Sequence, residues 1–373
     1  MDFDFSDDLR EARTLADDVF GELAPVERVR HVERELEGFD ATLWAALAET
    51  GLLALALPEE DGGAGLGMLS LVAVLERQGR FVAPVPLGPS LATAVLPVSR
   101  FGSDELRERW MPGVVSGTTI LTGGVDSSTG GDRALTATPS ADGWVVSGVL
   151  EAVPAGLQAG AVLTPVSTPG DILTALIPTD RPGVQREAVE VTSRTAHARI
   201  TFHDVDLAAS DLVGDGAEAT VYARLLGRIA GAAVQAGVCH EAVARAAAHT
   251  TQREQFGRPL STNQAVAQRA ADAYLDADRI TVTARRAAWL ADNDDPAAAS
   301  AALVAAWWAS KAGLRAVHAA QHLHGGLGAD IEYPIHRYFL WGRQQAFTLG
   351  SAASLSAELG AQLDTLPKIG APS

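Results

Sequence analysis

The sequence predicts an α+β protein in three parts: a helical N-terminal domain, a middle antiparallel β domain and a C-terminal four-helix bundle. Three observations predict it. Apolar residues recur at helical spacing over 7–112. They give way to short β-rich runs separated by turn residues over 119–212. Long helical patterns return over 217–366. Helices, then strands, then helices is not the order of a βαβ sheet. Domains are therefore expected at 1–117, 118–214 and 215–373. A chain of 373 residues with 47% hydrophobic and 20% charged residues is long and apolar enough to bury large cores.

Each element has its own signal. Leu9, Ala12, Leu15, Ala16, Val19 and Phe20 mark a first helix, and Phe39 to Leu52 a second, with Gly51 as its stop. The turn-rich stretch Pro58 to Gly65 follows. Met68–Gln78 and Leu87–Phe101 read as helices, and Ser103 or Asp104 caps a short one to about Met111. Strands are expected at Thr119–Thr122, Leu135–Thr138, Gly143–Ser147, Gly160–Pro165, Ile172–Ile177 and Ala198–Phe202, with Asp142-Gly143 as a hairpin turn. The long helices are Thr220–Thr250, Gln264–Asp292, Pro296–His324 and Gln344–Leu363. Short connections between them favour an antiparallel bundle.

The net charge of −17 argues against a nucleic-acid partner, since phosphate neutralisation needs positive surface. An anionic ligand such as a CoA ester would need local cations or helix N-termini. No run of about 18 apolar residues suggests a membrane span. The acidic start Met1-Asp2-Phe3-Asp4-Phe5 lacks the basic and apolar regions of a signal peptide. The single cysteine, Cys239, excludes an internal disulfide and reads as an inert buried thiol. A cytoplasmic location fits these features. His318, His322 and His324 do not read as a metal site, because spacings of four and two on a helix do not converge.

The most informative stretch is Arg253-Glu254-Gln255-Phe256-Gly257-Arg258-Pro259-Leu260, with Gln264 beyond it, between two long helices. Arg253 offers a planar fork of donors suited to a pyrophosphate. Phe256 can cover a flat ring, Gly257 permits a tight turn, and Gln255 and Gln264 supply neutral donors and acceptors. Gly325-Gly326 allows backbone amides to approach a phosphate closely.

Together with Leu57–Gly63, Ile200–Val205, Leu212–Gly214, His324–Gly328 and Glu332–Arg337, these motifs resemble the acyl-CoA dehydrogenase family over nearly the whole chain. The resemblance implies FAD as cofactor and an acyl-CoA thioester as substrate. It places Arg253, Gln255, Phe256, Gln264, Gly325 and Gly326 at positions that hold the ADP part of a flavin bound mainly by the neighbouring subunit. Where the family has Gln before the first glycine, this chain has His322, and Gln321 is one residue early.

The resemblance fails where the family does its chemistry. The α,β-dehydrogenation needs a desolvated carboxylate as base. The two family positions for it are Leu349 and Gly227 here, so no catalytic residue is assigned. Glu332 and Glu241 remain as carboxylates, neither at a base position. The flavin-facing Trp and hydroxyl of the family are replaced within Leu150–Gly156, at Ala152 and Pro154, and the usual Arg-Asp after Arg337 is Leu340-Trp341. This pattern is similar to the base-less companion subunits of actinobacterial heteromeric enzymes acting on sterol side-chain CoA esters. It implies a second acyl-CoA dehydrogenase-like subunit that supplies the Glu, assembly into a tetramer, and an electron-transfer acceptor. A self-sufficient homomer with an unassigned base, and an inactive scaffold or regulatory partner, remain open.

Overall fold

A computed structural model describes residues 6–125, 135–141, 143–348 and 350–362 of the chain. The expectations placed on Met1–Phe5, Asp142, Leu349 and Leu363 lie outside the described residues. Contacts divide the chain into two units, residues 1–71 with 84–227, and residues 72–83 with 228–373.

The first unit begins with α1 (Asp7–Leu23), α2 (Val26–Glu35) and α3 (Ala41–Glu49). Ser6 caps α1 by accepting from the Leu9 N–H, Asp7 and Asp8 face the positive end of the helix dipole, and Leu9, Ala12, Ala16 and Phe20 are buried. Helix α2 carries no expectation from periodicity, because its apolar stripe is reduced to Val29 and Val32 among charged residues. Asp40 caps α3 through the N–H groups of Thr42 and Leu43 and takes a two-pronged contact from Arg28 at 2.6 and 2.7 Å. Burial opposes its charge, yet the guanidinium and the two amides hold its carboxyl below the usual range.

Helix α4 (Gly67–Phe81) crosses from the first unit to the second. The expected helix over 87–101 is two segments: a buried π-helical stretch, Gly88–Val95, and then α5 (Leu96–Phe101). Pro97 explains the widened turn, since its ring would strike the carbonyl of Thr93 in a regular helix. Helix α6 (Asp104–Val115) is capped by Ser103 and continues through Pro112, beyond the expected end at Met111.

A seven-stranded sheet completes this unit: β1 (Leu121–Gly123), β2 (Leu135–Ser140), β3 (Gly143–Pro154), β4 (Ala161–Ser167), β5 (Ile172–Pro178), β6 (Val184–Ala188) and β7 (His197–Ala208). Four pairs are antiparallel, β2 with β3, β3 with β7, β6 with β7 and β4 with β5. Strands β1 and β2 both run parallel to β4, against its residues 161–163 and 166–167. Sequence alternation carries no information on direction, so these two pairs were not foreseeable. Strand β6 was missed because its side chains are mostly exposed and leave no apolar alternation. Val146, Leu150, Val162, Ile177, Ile200 and Phe202 lie at the centre of the core of this sheet.

The second unit holds the latter part of α4, most of α7 (Glu218–Gln252), α8 (Gln264–Asp292), α9 (Ala298–Leu323), α10 (Ile335–Thr348) and α11 (Ala352–Gln362). The expected single helix over 344–363 is thus two helices, and α10 begins nine residues earlier than that helix was placed. Gly350 at φ 94 explains the break, because a left-handed residue ends a helix. Alanines dominate the buried face of α9, so its neighbours can approach closely. Several buried polar groups are paired. Glu76 takes both prongs of Arg285 at 2.7 Å, Asp276 pairs with Arg279 and Arg315, and Gln235 Nε2 donates to the carbonyls of Ala309 and Gly342. Cys239 is fully buried, and burial drives its thiol pKa far upward, as expected of an inert thiol.

Candidate cofactor-binding site

Helix α7 stops at Gln252, and the next N–H, of Arg253, still donates to the His249 carbonyl at 2.8 Å. The chain then turns back in a two-residue hairpin, β8 (Glu254–Gln255) against β9 (Arg258–Pro259). Phe256 and Gly257 form its turn with φ of 56° and 77°. Positive φ at both central positions is the type I′ geometry, which favours Asn-Gly and disfavours an aromatic residue at the first position. Phe256 is nonetheless held there and is 95% exposed. The Leu260 N–H closes the excursion on the Arg253 carbonyl at 2.9 Å, and Asn263 caps α8, whose first residue is Gln264.

The second segment follows α9. His324 is its C-cap, and its Nδ1–H donates to the Ala320 carbonyl at 2.7 Å, satisfying one of the helix's orphan acceptors. Gly325 adopts φ 59 and opens a 3-10 turn, Gly325–Ala329. Beyond the adjoining backbone, no atom among the described residues lies within 4 Å of where a Cβ would stand on Gly325 or Gly326. Packing within the chain therefore gives no reason for glycine at 326. Its open face suits backbone amides that meet a group from outside.

All seven residues singled out as cofactor contacts, Arg253, Gln255, Phe256, Gln264, His322, Gly325 and Gly326, are exposed on the second unit. Among the described residues the Arg253 side chain makes no ion pair or hydrogen bond. The structure links their two segments through a ring stack that sequence reasoning missed, His249 against His324 at 4.7 Å. Burial lowers the pKa of both rings, Arg253 lowers that of His249 further, and His249 and Arg245 lower that of His324 against the opposing Ala320 contact. His318 packs edge-on against Phe339 at 4.8 Å, and His322 is exposed. Among the described residues no cluster of three or more His, Cys, Asp or Glu is placed to hold a metal ion.

Gly227 and the 150–156 segment, where the sequence leads us to expect a base position and a flavin-facing strand, are closely packed. A Cβ on Gly227 would come within 2.8 Å of Thr93 Cγ2, and one on Gly123 within 2.1 Å of Thr93 Oγ1. Thr93, on the π-helical segment and pinned to the Pro89 carbonyl at 2.6 Å, thus closes the space beside Gly227. Nothing in the sequence pointed to it. On β3, Glu151 pairs with Arg199 at 3.3 Å and the Pro154 carbonyl accepts from buried Thr122. A Cβ on Gly156 would stand 2.9 Å from that of Ala198. Glu241 is held by Arg80 and Arg245, and Arg228 by Glu358 at 2.6 Å.

Family models for the acyl-CoA dehydrogenase N-terminal and C-terminal domains match residues 6–118 and 214–363. The chain belongs to the acyl-CoA dehydrogenase family. Its members are FAD-dependent oxidoreductases, and FAD is the cofactor of this enzyme. Acyl-CoA dehydrogenase FadE27 of Mycobacterium tuberculosis is 33% identical over 98% of this chain and 100% of its own length. A chain of the Tcur3481-Tcur3483 steroid acyl-CoA dehydrogenase, in a variant form, is 41% identical with a TM-score of 0.90, covering 96% of this chain and 98% of its own. A chain of the ChsE4-ChsE5 complex from M. tuberculosis is 34% identical with a TM-score of 0.94, covering 98% and 100%. Butyryl-CoA dehydrogenase of Megasphaera elsdenii, at 22% identity, shares the fold. No helix among the described residues of this acyl-CoA dehydrogenase is long and apolar enough to cross a membrane.

One expected result follows from the hairpin. Phe256→Asn relieves the left-handed strain of an aromatic residue and is expected to raise stability by roughly 0.5–1 kcal/mol. It should also remove the apolar surface that Phe256 presents. Thermal melting together with flavin titration checks both directions.

Proposed function

We propose that this chain is the non-base subunit of a heteromeric FAD-dependent acyl-CoA dehydrogenase. The observation that carries the reading is that all seven grip residues face outward, while the base position on α7 is a glycine closed over by Thr93. Arg253 would hold the pyrophosphate through paired N–H donors, and Phe256 would cover a flat ring of the nucleotide. Gln255, Gln264 and His322 would hydrogen-bond neutral edges, and the Gly325–Gly326 amides would approach a phosphate. FAD, when bound, accepts the β hydrogen of the acyl thioester as hydride. Neither Gly227 nor Leu349 can accept a proton, so the α proton goes to a carboxylate of the partner subunit. The two-chain complexes among the relatives support a second, related subunit and assembly into a heterotetramer. The steroid enzyme among them supports a bulky sterol side-chain CoA ester as substrate. The assembly would work in the cytoplasm and hand its electrons to a separate acceptor.

Expressed alone, the chain is expected to be colourless and inactive. Expressed with its dehydrogenase-like partner, it should purify as a yellow complex with one flavin per pair of unlike chains. A yellow, active homomer would overturn the reading. Gly227→Glu places a carboxylate on α7 but drives its Cβ into Thr93, an overpacking expected to cost about 1–3 kcal/mol. The variant alone is expected to melt earlier and to stay inactive, which calorimetry and a dye-coupled assay read directly.

A further inference from the structure

Two helix ends carry the proposed grip, and one contact joins them. Arg253 follows His249 by four residues at the end of α7, and Gly325 follows His324 directly at the end of α9. The two rings stack at 4.7 Å with their planes 22° apart. Tyr333, from the segment leading into α10, packs on His324 at 5.4 Å with a tilt of 53°. His324 is 3% exposed, its Nδ1–H is spent on Ala320, and its Nε2 is buried with no hydrogen-bond partner among the described residues. Leaving a polar ring atom unpaired costs free energy. The ring therefore sits there for where it puts its neighbours.

We propose that His249 and His324 are positioning residues, whose ring stack fixes Arg253 relative to the Gly325–Gly326 amides and so sets how tightly the dinucleotide end of the cofactor is held. The inference rests on the reading that these residues grip FAD. Neither histidine touches the reacting carbons. Their effect is on flavin retention, and it passes through the stack as one unit. Losing either ring should therefore do as much as losing both, because the contact needs the pair.

The test uses the complex co-expressed with the partner subunit and follows FAD release by recovery of flavin fluorescence. Melting and subunit ratio are measured on the same samples. His249→Ala and His324→Ala are each expected to speed release about three- to tenfold, the range spanned by loss of one aromatic pair. The double variant should be no faster than the quicker single one. His324→Phe keeps a ring in the stack and should hold FAD as the native complex does. Unchanged release in both alanine variants, multiplied effects in the double variant, or His324→Phe releasing as fast as His324→Ala would each overturn the proposal. If the alanine variants do not assemble, His324→Phe and His249→Phe carry the test, with native release expected and faster release against it. Arg253→Ala separates the two layers. If it leaves release unchanged, the grip itself is refuted. If it speeds release while the histidine variants do not, only the positioning role falls.

Discussion

Arg253→Ala in the co-expressed complex is expected to weaken FAD retention by about two to four orders of magnitude. Two charge-assisted hydrogen bonds to a pyrophosphate are worth roughly 1.5–3 kcal/mol each when made in place of water, and 1.4 kcal/mol is tenfold in affinity. Folding has little stake in the residue. Its side chain is exposed and makes no ion pair or hydrogen bond among the described residues, while its backbone N–H and carbonyl already have partners at His249 and Leu260. The melting temperature of the chain should therefore move by no more than a surface substitution does. Arg253→Lys should recover only part of the retention, because a point charge cannot present two parallel donors. Equilibrium flavin titration of the three complexes measures this, and native affinity in Arg253→Ala would refute the grip.

Gly237→Ala is expected to destabilise the second unit by about 2–4 kcal/mol, a fall in melting temperature on the order of 10 °C. Helices α4 and α7 touch backbone to backbone. A Cβ on Gly237 would stand 1.9 Å from the Glu76 carbonyl oxygen and 2.8 Å from the Arg80 nitrogen. From the other side, a Cβ on Gly79 would stand 2.1 Å from the Val234 carbonyl oxygen. No side chain can swing aside to admit the methyl group, so the helices must separate. Separation would pull Glu76 from Arg285 and the Arg80 carbonyl from the Tyr338 hydroxyl. Breaking a buried ion pair costs more than an exposed one returns. Calorimetry on the isolated chain reads the effect, and a native melting temperature would show that the crossing yields more easily than its geometry implies.

Legibility followed the range of the signal. Helix α8 runs from Gln264 to Asp292 as expected, because Asn263 caps it and apolar periodicity persists along it. Helix α2 was invisible because only two of its residues are buried. The break between α10 and α11 was missed because a single glycine, Gly350, interrupts an otherwise helical run. The structure pairs Arg228 with Glu358, 130 positions away, a contact that no local pattern announces.

By itself the sequence determined which groups this protein has to offer: a forked cation and an aromatic residue in one short turn, a double glycine after α9, and no proton acceptor at Gly227 or Leu349. Those are properties of single positions and near neighbours, and local chemistry states them outright. Only the tertiary structure decided that the seven candidate cofactor contacts are exposed, that the His249 and His324 rings stack between their two segments, and that Thr93 closes over Gly227. Each depends on a distance between residues far apart in the chain, which side-chain packing fixes and periodicity does not encode.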